Sequence, residues 1–134
     1  NLHDWIDELC DVLDNSWATL MRDLQDRGLL ESTLIVWMGE FGRTPVINEQ
    51  SGRDHFPQAW CSVLSGGGIR GGQAIGRTDA SGMAIEERPV SVPDLLATIC
   101  KVIGIDPAKQ NMSNAARPIR IVDPAAVAVE EIVA

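Results

Sequence analysis

The stretch that decides the fold reads S-T-L-I-V-W-M at 32–38, and G-E-F-G-R-T-P follows it at 39–45. The residues at 32–38 favour β-structure, and they lack the polar alternation of a half-exposed strand. We therefore expect a strand that is covered on both faces. Ligands gather at the carboxyl ends of strands in open α/β sheets, so a site is expected just after Met38.

Before this strand, apolar residues recur at spacings of three and four, which predicts a long amphipathic helix that ends near Gly28. The Trp and Met side chains of its apolar stripe are expected to be core contacts. The stripe consists of Leu2, Trp5, Ile6, Leu9, Val12, Leu13, Trp17, Leu20, Met21 and Leu24. A helix, then a buried strand, then a glycine-containing loop is typical of an α/β protein.

A second helix is predicted over 93–103. Ser91 is a suitable N-cap, Pro93 and Asp94 fall in the first turn, and Gly104 ends the helix.

The chain between the two helices is rich in turn residues. We expect a long loop over 39–57, a short strand over 59–64, and a glycine-rich turn over 65–72. The glycine run resembles a phosphate cradle only superficially, because it has no G-K-[ST] ending and no helix pattern after it. A hairpin is predicted from 73–78 and 83–90, with a polar turn between its strands.

The last part of the chain contains one more strand candidate, P-I-R-I-V at 118–122. Pro118 opens it, which favours an edge position. The Ala/Val-rich tail is open to three interpretations: a last helix, a frayed terminus, or read-through from a truncated gene. We divide the chain into a partial α/β domain over 1–122 and a tail over 123–134.

Composition narrows the function classes. The 134 residues fit one domain, and the formal net charge of −8 with no Tyr argues against a nucleic-acid-binding face. No apolar run is long enough to span a bilayer, so no membrane partner is expected. Cys10, Cys61 and Cys100 are widely spaced, and buried thiols are the preferred interpretation.

Two residues just after the expected strand could carry chemistry. Glu40, between Gly39 and a phenylalanine, is a candidate metal ligand or base. Arg43 suits bidentate contact with phosphate or sulfate. The structural alternative is an ion pair of Arg43 with Glu40 or Glu49.

The run Gly52-Arg53-Asp54-His55 is the sharpest local cluster. His55 beside Asp54 is typical of a metal-binding imidazole that a carboxylate orients. The alternative is an ordinary surface histidine.

Five ordered motifs together resemble a known family. They are W-M-G-E-F-G-R-T-P (37–45), G-R-D-H-F-P (52–57), S-G-G-G-I-R-G-G (65–72), R-P-V-S-V-P-D-L-L-A-T-I (88–99) and G-I-D-P (104–107). The chain resembles the bacterial family called domain of unknown function fifteen-oh-one, which looks like a sulfatase-like branch of the alkaline phosphatase superfamily.

The resemblance implies the C-terminal part of a doubly wound α/β sheet that holds divalent metals (Zn, Ca, Mn or Mg) and cleaves phosphate or sulfate esters. Glu40 and His55 would then be metal ligands, Asp54 would orient His55, and Arg43 or Arg53 would contact the oxyanion. Phe41 stands where a metal-binding histidine is expected, and the nucleophile and upstream metal ligands have no counterpart here. The resemblance therefore also implies that this chain alone is inactive and that its metal site is weak or empty.

Two alternatives remain open at this stage. One is a non-catalytic binding or assembly module that keeps the fold without the metal site, and the other is a fragment that buries its faces in an oligomer. Unpaired edges of a partial sheet favour pairing with a second copy. Family members look exported, which is the only indication of localisation.

Overall fold

The computed structural model describes residues 2–134 and the side chains from Trp5 onward; Asn1 and the side chains of residues 2–4, including that of Leu2 in the predicted stripe, lie outside the described part. Two helices, α1 and α2, and eight short strands follow one another along the chain. In order they are α1 (Leu2–Asp26), β1 (Leu34–Met38), β2 (Gly42–Arg43), β3 (His55–Phe56), β4 (Ser62–Gly66), β5 (Arg77–Thr78), β6 (Ile85–Glu87), α2 (Val92–Val102), β7 (Gln110–Met112) and β8 (Pro118–Arg120). Short 3-10 turns lie at Leu30–Ser32 and Glu130–Ile132.

The strands form four separate two-stranded pairs, and all four are antiparallel: β1 with β4, β2 with β3, β5 with β6, and β7 with β8. The protein is therefore of mixed α/β architecture, as the sequence predicts. No helix in the described part is both long and apolar enough to cross a membrane.

The β1–β4 pair runs in register from Leu34 opposite Gly66 to Met38 opposite Ser62. Helix α1 contacts it through Trp17, whose ring centroid lies 6.1 Å from that of Trp37. Trp37 and Met38 nevertheless remain 46% and 45% exposed. The expectation of a strand covered on both faces is thus wrong for the end of β1, because the helix reaches it through few side chains.

The first half of α1 makes little use of its apolar stripe. Trp5, Leu9 and Val12 are each 66% exposed, whereas Trp17 is half-buried. The prediction of core contacts is therefore confirmed for Trp17 and wrong for Trp5. Periodicity defines which face of a helix is apolar, but it does not state what covers that face.

The second helix begins and ends close to its predicted bounds. Ser91 and Asp94 form a reciprocal capping box, and Pro93 lies in the first turn. Ala97 and Cys100 of α2 pack with Val122 in a small buried cluster. Cys10 and Cys61 are exposed, so the expectation of buried thiols is confirmed only for Cys100.

The tail over 123–134 is an ordered segment across α2 with one short 3-10 turn, so the interpretations as a last helix and as a frayed terminus are wrong. Asp94 Oδ1 accepts from the Val127 N–H at 2.7 Å, and this bond together with those from Ser91 lowers the pKa of Asp94. Arg88 donates to both carboxylate oxygens of Glu131, at 2.8 and 2.9 Å, and lowers the pKa of Glu131 to about 2.

The glycine-rich turn is structural. Gly66 has φ +86°, and a Cβ there would lie 2.1 Å from the Thr33 carbonyl oxygen. A Cβ on Gly68 would lie 2.8 Å from the Val102 side chain. The turn therefore packs between the start of β1 and the end of α2, which confirms the structural interpretation over a phosphate cradle.

Several predicted bounds need correction. The expected loop over 39–57 contains the β2–β3 pair, and the strand expected at 59–64 lies at Ser62–Gly66. The observed hairpin, β5 with β6, is shorter than the predicted one. Its second strand ends before Arg88, where the backbone turns with a φ of +43°. The strand from Pro118 is confirmed, but its partner β7, Q-N-M, was missed because it lacks a β-favouring pattern.

Candidate functional site

The β2–β3 pair brings two of the predicted site residues together. In its register Arg43 lies directly opposite His55, and Gly42 lies opposite Phe56. Directly opposed residues project to the same face of an antiparallel pair, with Cβ atoms about 5 Å apart. Phe56 is 7% exposed and fixes the pair to the interior, while Arg43 and His55 are both exposed.

A phenylalanine joins these two side chains. The ring centroid of Phe41 lies 4.1 Å from that of His55, with the planes tilted by 35°. The Arg43 guanidinium carbon lies 5.6 Å from the Phe41 centroid, within the range of a cation–π contact. Phe41, Arg43 and His55 form one surface cluster, which we call the Arg43 cluster.

The loop between β2 and β3 is held together by its own hydrogen bonds. Asn48 Oδ1 accepts from the backbone N–H groups of Gln50 and Gly52, at 3.0 and 2.9 Å. The Thr44 N–H donates to the Asp54 carbonyl at 3.0 Å, which closes the base of the loop. An Asn side chain that bonds to backbone two residues on is a standard turn device, so the loop has a defined shape.

Arg53 and Asp54 take part in this loop. Arg53 Nη1 donates to the Thr44 carbonyl at 2.8 Å and to the Pro45 carbonyl. The Asp54 carboxylate accepts from Asn48 Nδ2 at 2.8 Å. Both side chains therefore stabilise the loop that carries His55, and the described contacts of Asp54 do not include the imidazole. Their predicted roles at an oxyanion and at a metal stay predictions.

Arg43 is not neutralised within the described part of the chain. The predicted alternative, an ion pair with Glu40 or Glu49, is not among the ion pairs of residues 5–134. The Arg43 side chain donates from Nη1 to the Arg53 carbonyl at 3.3 Å, which leaves most of its five N–H donors free. Glu40 lies exposed in the turn between β1 and β2.

The described residues do not form a zinc site on their own. No group of three or more His, Cys, Asp or Glu side chains among them is placed to hold a metal ion. Asp54 is bonded to Asn48, so Glu40 and His55 are the remaining candidate ligands at this end of β1. Two protein ligands are fewer than the three or four that zinc sites use.

Two parts of the site escaped the sequence analysis. One is the role of Asn48 in holding the loop. The sequence feature that indicates this role is Asn48 followed within a few residues by Ser51-Gly52, a typical turn composition. The contact of Phe41 with His55 had no sequence signal, because it depends on the pairing of β2 with β3.

The fold and the cluster thus define a mixed α/β protein with an arginine, a histidine and a phenylalanine together at one surface. The family model described as "Protein of unknown function (DUF1501)" matches residues 1–133. The chain belongs to this family. No curated protein matches the chain, and no solved structure matches it.

Proposed function

We propose that this chain is the C-terminal portion of a sulfatase- or phosphatase-like hydrolase with a doubly wound α/β sheet, and that the Arg43 cluster contacts the anionic group of its ester substrate. The observation that carries the proposal is Arg43 directly opposite His55, with no ion-pair partner in the described part. The resemblance of the motifs to a sulfatase-like branch of the alkaline phosphatase superfamily supports the same reaction class.

The chemistry of the cluster suits a tetrahedral oxyanion. A guanidinium offers parallel N–H donors that match two oxygens of a sulfate or phosphate group. His55, opposite Arg43, offers an imidazole nitrogen to a third oxygen. The ring of Phe41 packs against the imidazole and restricts its orientation. These residues would bind and orient the ester.

The bond-breaking step is not assigned to this chain. In the superfamily that the motifs resemble, bound metals and a nucleophile supply that chemistry. The described residues do not assemble three metal ligands, so the function assigned to this part is recognition of the anion.

A non-catalytic binding or assembly module is the second candidate. The same lack of a three-ligand group in residues 5–134, together with Phe41 at the place of a metal-binding histidine, favours it. In such a module the cluster would bind no substrate anion, so the two functions differ in a direct binding measurement.

The test is a titration of the 134-residue chain with sodium sulfate, followed by NMR at the Arg43 Nε–H and the His55 ring, with sodium chloride at equal ionic strength as the reference. We expect saturable shifts at both side chains. Arg43→Ala should weaken sulfate binding about fivefold or more, the effect of losing a charge-assisted hydrogen bond at an exposed site.

Arg22→Ala is the matched control, because Arg22 is an exposed arginine on α1, remote in sequence from the cluster. It removes the same charge and should leave sulfate binding unchanged. Equal weakening by both variants would show general charge attraction, and the absence of saturable shifts would favour the non-catalytic module. Either result contradicts the proposed contact.

A further inference from the structure

Two arginines lie near the site, and they differ in what their side chains contact. Within residues 5–134, the Arg43 side chain makes one hydrogen bond and is exposed, whereas Arg53 is half-buried. Arg53 Nη1 donates to the Thr44 carbonyl at 2.8 Å and to the Pro45 carbonyl, so this nitrogen has an acceptor for each of its two N–H groups. Hydrogen bonds from a charged donor are stronger than neutral ones, and these two join Arg53 to the backbone directly after Arg43.

The backbone of Arg53 contacts Arg43 as well. Its carbonyl oxygen accepts from Arg43 Nη1 at 3.3 Å, a long hydrogen bond that restrains the guanidinium without using its other donors. The next residue repeats the link, because the Thr44 N–H donates to the Asp54 carbonyl at 3.0 Å and the Asp54 N–H donates to Thr44 Oγ1 at 3.1 Å. His55 follows directly as the first residue of β3. A displacement of Arg53 would therefore reach both Arg43 and His55.

The described partners of the Arg53 guanidinium are carbonyl groups and not carboxylates. No acidic side chain forms an ion pair with it among residues 5–134. An anion that bound Nη1 of Arg53 would have to displace the Thr44 and Pro45 carbonyls, whereas Arg43 would give up at most one long hydrogen bond. These contacts favour Arg43 as the anion ligand and Arg53 as the residue that holds it.

We propose that Arg53 is a positioning residue of the anion site, which fixes the backbone after Arg43 and holds the Arg43 guanidinium opposite His55 before any anion is bound. This inference rests on the proposed function, and it assigns Arg53 a different role from the oxyanion contact that the resemblance implies. An arginine side chain has many rotamers, and immobilising one on binding weakens affinity by about two- to tenfold. A guanidinium that is already held avoids most of that loss.

The first test needs no anion and is therefore independent of the proposed function. The order of the Arg43 Nε–H bond is measured by NMR relaxation in the wild-type chain and in Arg53→Ala. We expect an ordered bond in the wild type and a mobile one in the variant, together with loss of the ring contact between Phe41 and His55. Backbone amide shifts of α2 that match those of the wild type show that the variant is folded.

Arg70→Ala is the matched control. The Arg70 guanidinium also donates to a backbone carbonyl, that of Val133, at 2.9 Å. Arg70 lies in the glycine-rich turn, which leaves β4 where Gly66 pairs with Leu34, at the opposite end of the β1–β4 pair from the Arg43 cluster. The control removes the same charge and the same kind of contact, and it should leave the order of the Arg43 side chain unchanged.

The second test uses the sulfate titration. In the wild-type chain the Arg43 Nε–H should shift saturably with sulfate, and the Arg53 Nε–H should not. Arg53→Ala should weaken sulfate binding by about two- to tenfold. Arg53→Lys keeps the charge and can donate to the same carbonyls, so it should recover part of the loss. If Arg53→Ala does not fold, Arg53→Lys carries the comparison, because an ammonium lacks the rigid fork of the guanidinium and should leave Arg43 more mobile.

An Arg43 side chain that is equally ordered in the wild type and in both Arg53 variants would overturn the proposal. So would a saturable shift of the Arg53 Nε–H as large as that of Arg43, because Arg53 would then contact the anion itself. The proposed function fails by a different result. If sulfate causes no saturable shift while Arg53→Ala still releases the Arg43 side chain, the cluster does not bind an anion, although Arg53 does hold Arg43 in place.

Discussion

Thr98 is the most completely buried side chain in the described part of the chain, at 0% exposure, and it uses both hydrogen-bonding capacities of its hydroxyl. Oγ1 donates to the Asp94 carbonyl at 2.7 Å and accepts from the Val129 N–H at 2.9 Å. Val129 is itself 3% exposed, so water does not replace this acceptor. The hydroxyl therefore connects the tail to α2.

Thr98→Val keeps the volume of the side chain and removes the hydroxyl. We expect the free energy of unfolding to fall by about 1–3 kcal/mol, because the buried N–H of Val129 loses its acceptor. Thr98→Ser keeps the hydroxyl and should cost less. Urea denaturation of the two variants and the wild type gives the comparison, and equal stability of Val and Thr at this position would contradict the role.

For individual residues, the sequence identified Arg43 and His55 as site residues but did not predict that they lie opposite each other. Glu40 and Arg43 are indicated by their position after the predicted strand and His55 by its neighbour Asp54, and these are local properties. Their direct pairing across β2 and β3 arises from a loop closed by Asn48 and Arg53, whose partners lie several residues away. The predicted metal role of Glu40 and His55 stays a prediction.

Among the helices and strands, α2 was predicted most accurately from the sequence. Its cap, its first-turn proline and its apolar face are all local features, and the observed bounds differ from the predicted ones by one residue at each end. The strands followed less well. β1, β5, β6 and β8 lie within their predicted runs, whereas β4 is displaced and β2, β3 and β7 had no predicted strand. Strand identity depends on which partner the chain finds.

The glycine-rich turn gives a prediction for one element. Gly66→Ala requires a left-handed conformation from alanine and places its Cβ against the Thr33 carbonyl, so we expect a loss of more than about 2 kcal/mol of stability. Gly71→Ala is the control in the same run, because a Cβ there meets no atom within 4 Å. Thermal denaturation should show a large fall in Tm for the first variant and little change for the second.

Across the whole molecule, the tail closes the structure by contacts that are distant in sequence. Glu131 binds Arg88, Glu130 binds Lys101 at 2.6 Å, and the Ala134 N–H donates to the Gly68 carbonyl at 3.0 Å. The last residues of the chain therefore contact α2 and the glycine-rich turn directly.

The Arg88–Glu131 contact predicts a pH dependence. The pKa of Glu131 falls from its ordinary value of 4.5 to about 2, chiefly through the hydrogen bonds from Arg88. Because the folded pKa is the lower one, the stabilisation is fully present above about pH 4.5 and is lost as the pH falls toward 2. Glu131→Gln should lower Tm at neutral pH, and its difference from the wild type should shrink between pH 4.5 and 3.

Glu49→Gln is the control for this measurement, because Glu49 is an exposed glutamate of the loop between β2 and β3. It should leave the pH dependence of Tm unchanged. A difference between Glu131→Gln and the wild type that stays constant from pH 7 to 3 would show that the ion pair with Arg88 does not contribute.

The sequence by itself determined the two helices, the capping of α2, the apolar character of β1 and the family, because periodicity, caps and ordered motifs are properties of neighbouring residues. Only the tertiary structure decided the pairing of Arg43 with His55, the pairing of β1 with β4, and the hydrogen bond that joins the tail to Thr98. Each of these joins segments separated along the chain, and hydrogen bonds between distant segments leave no local pattern from which they could be inferred.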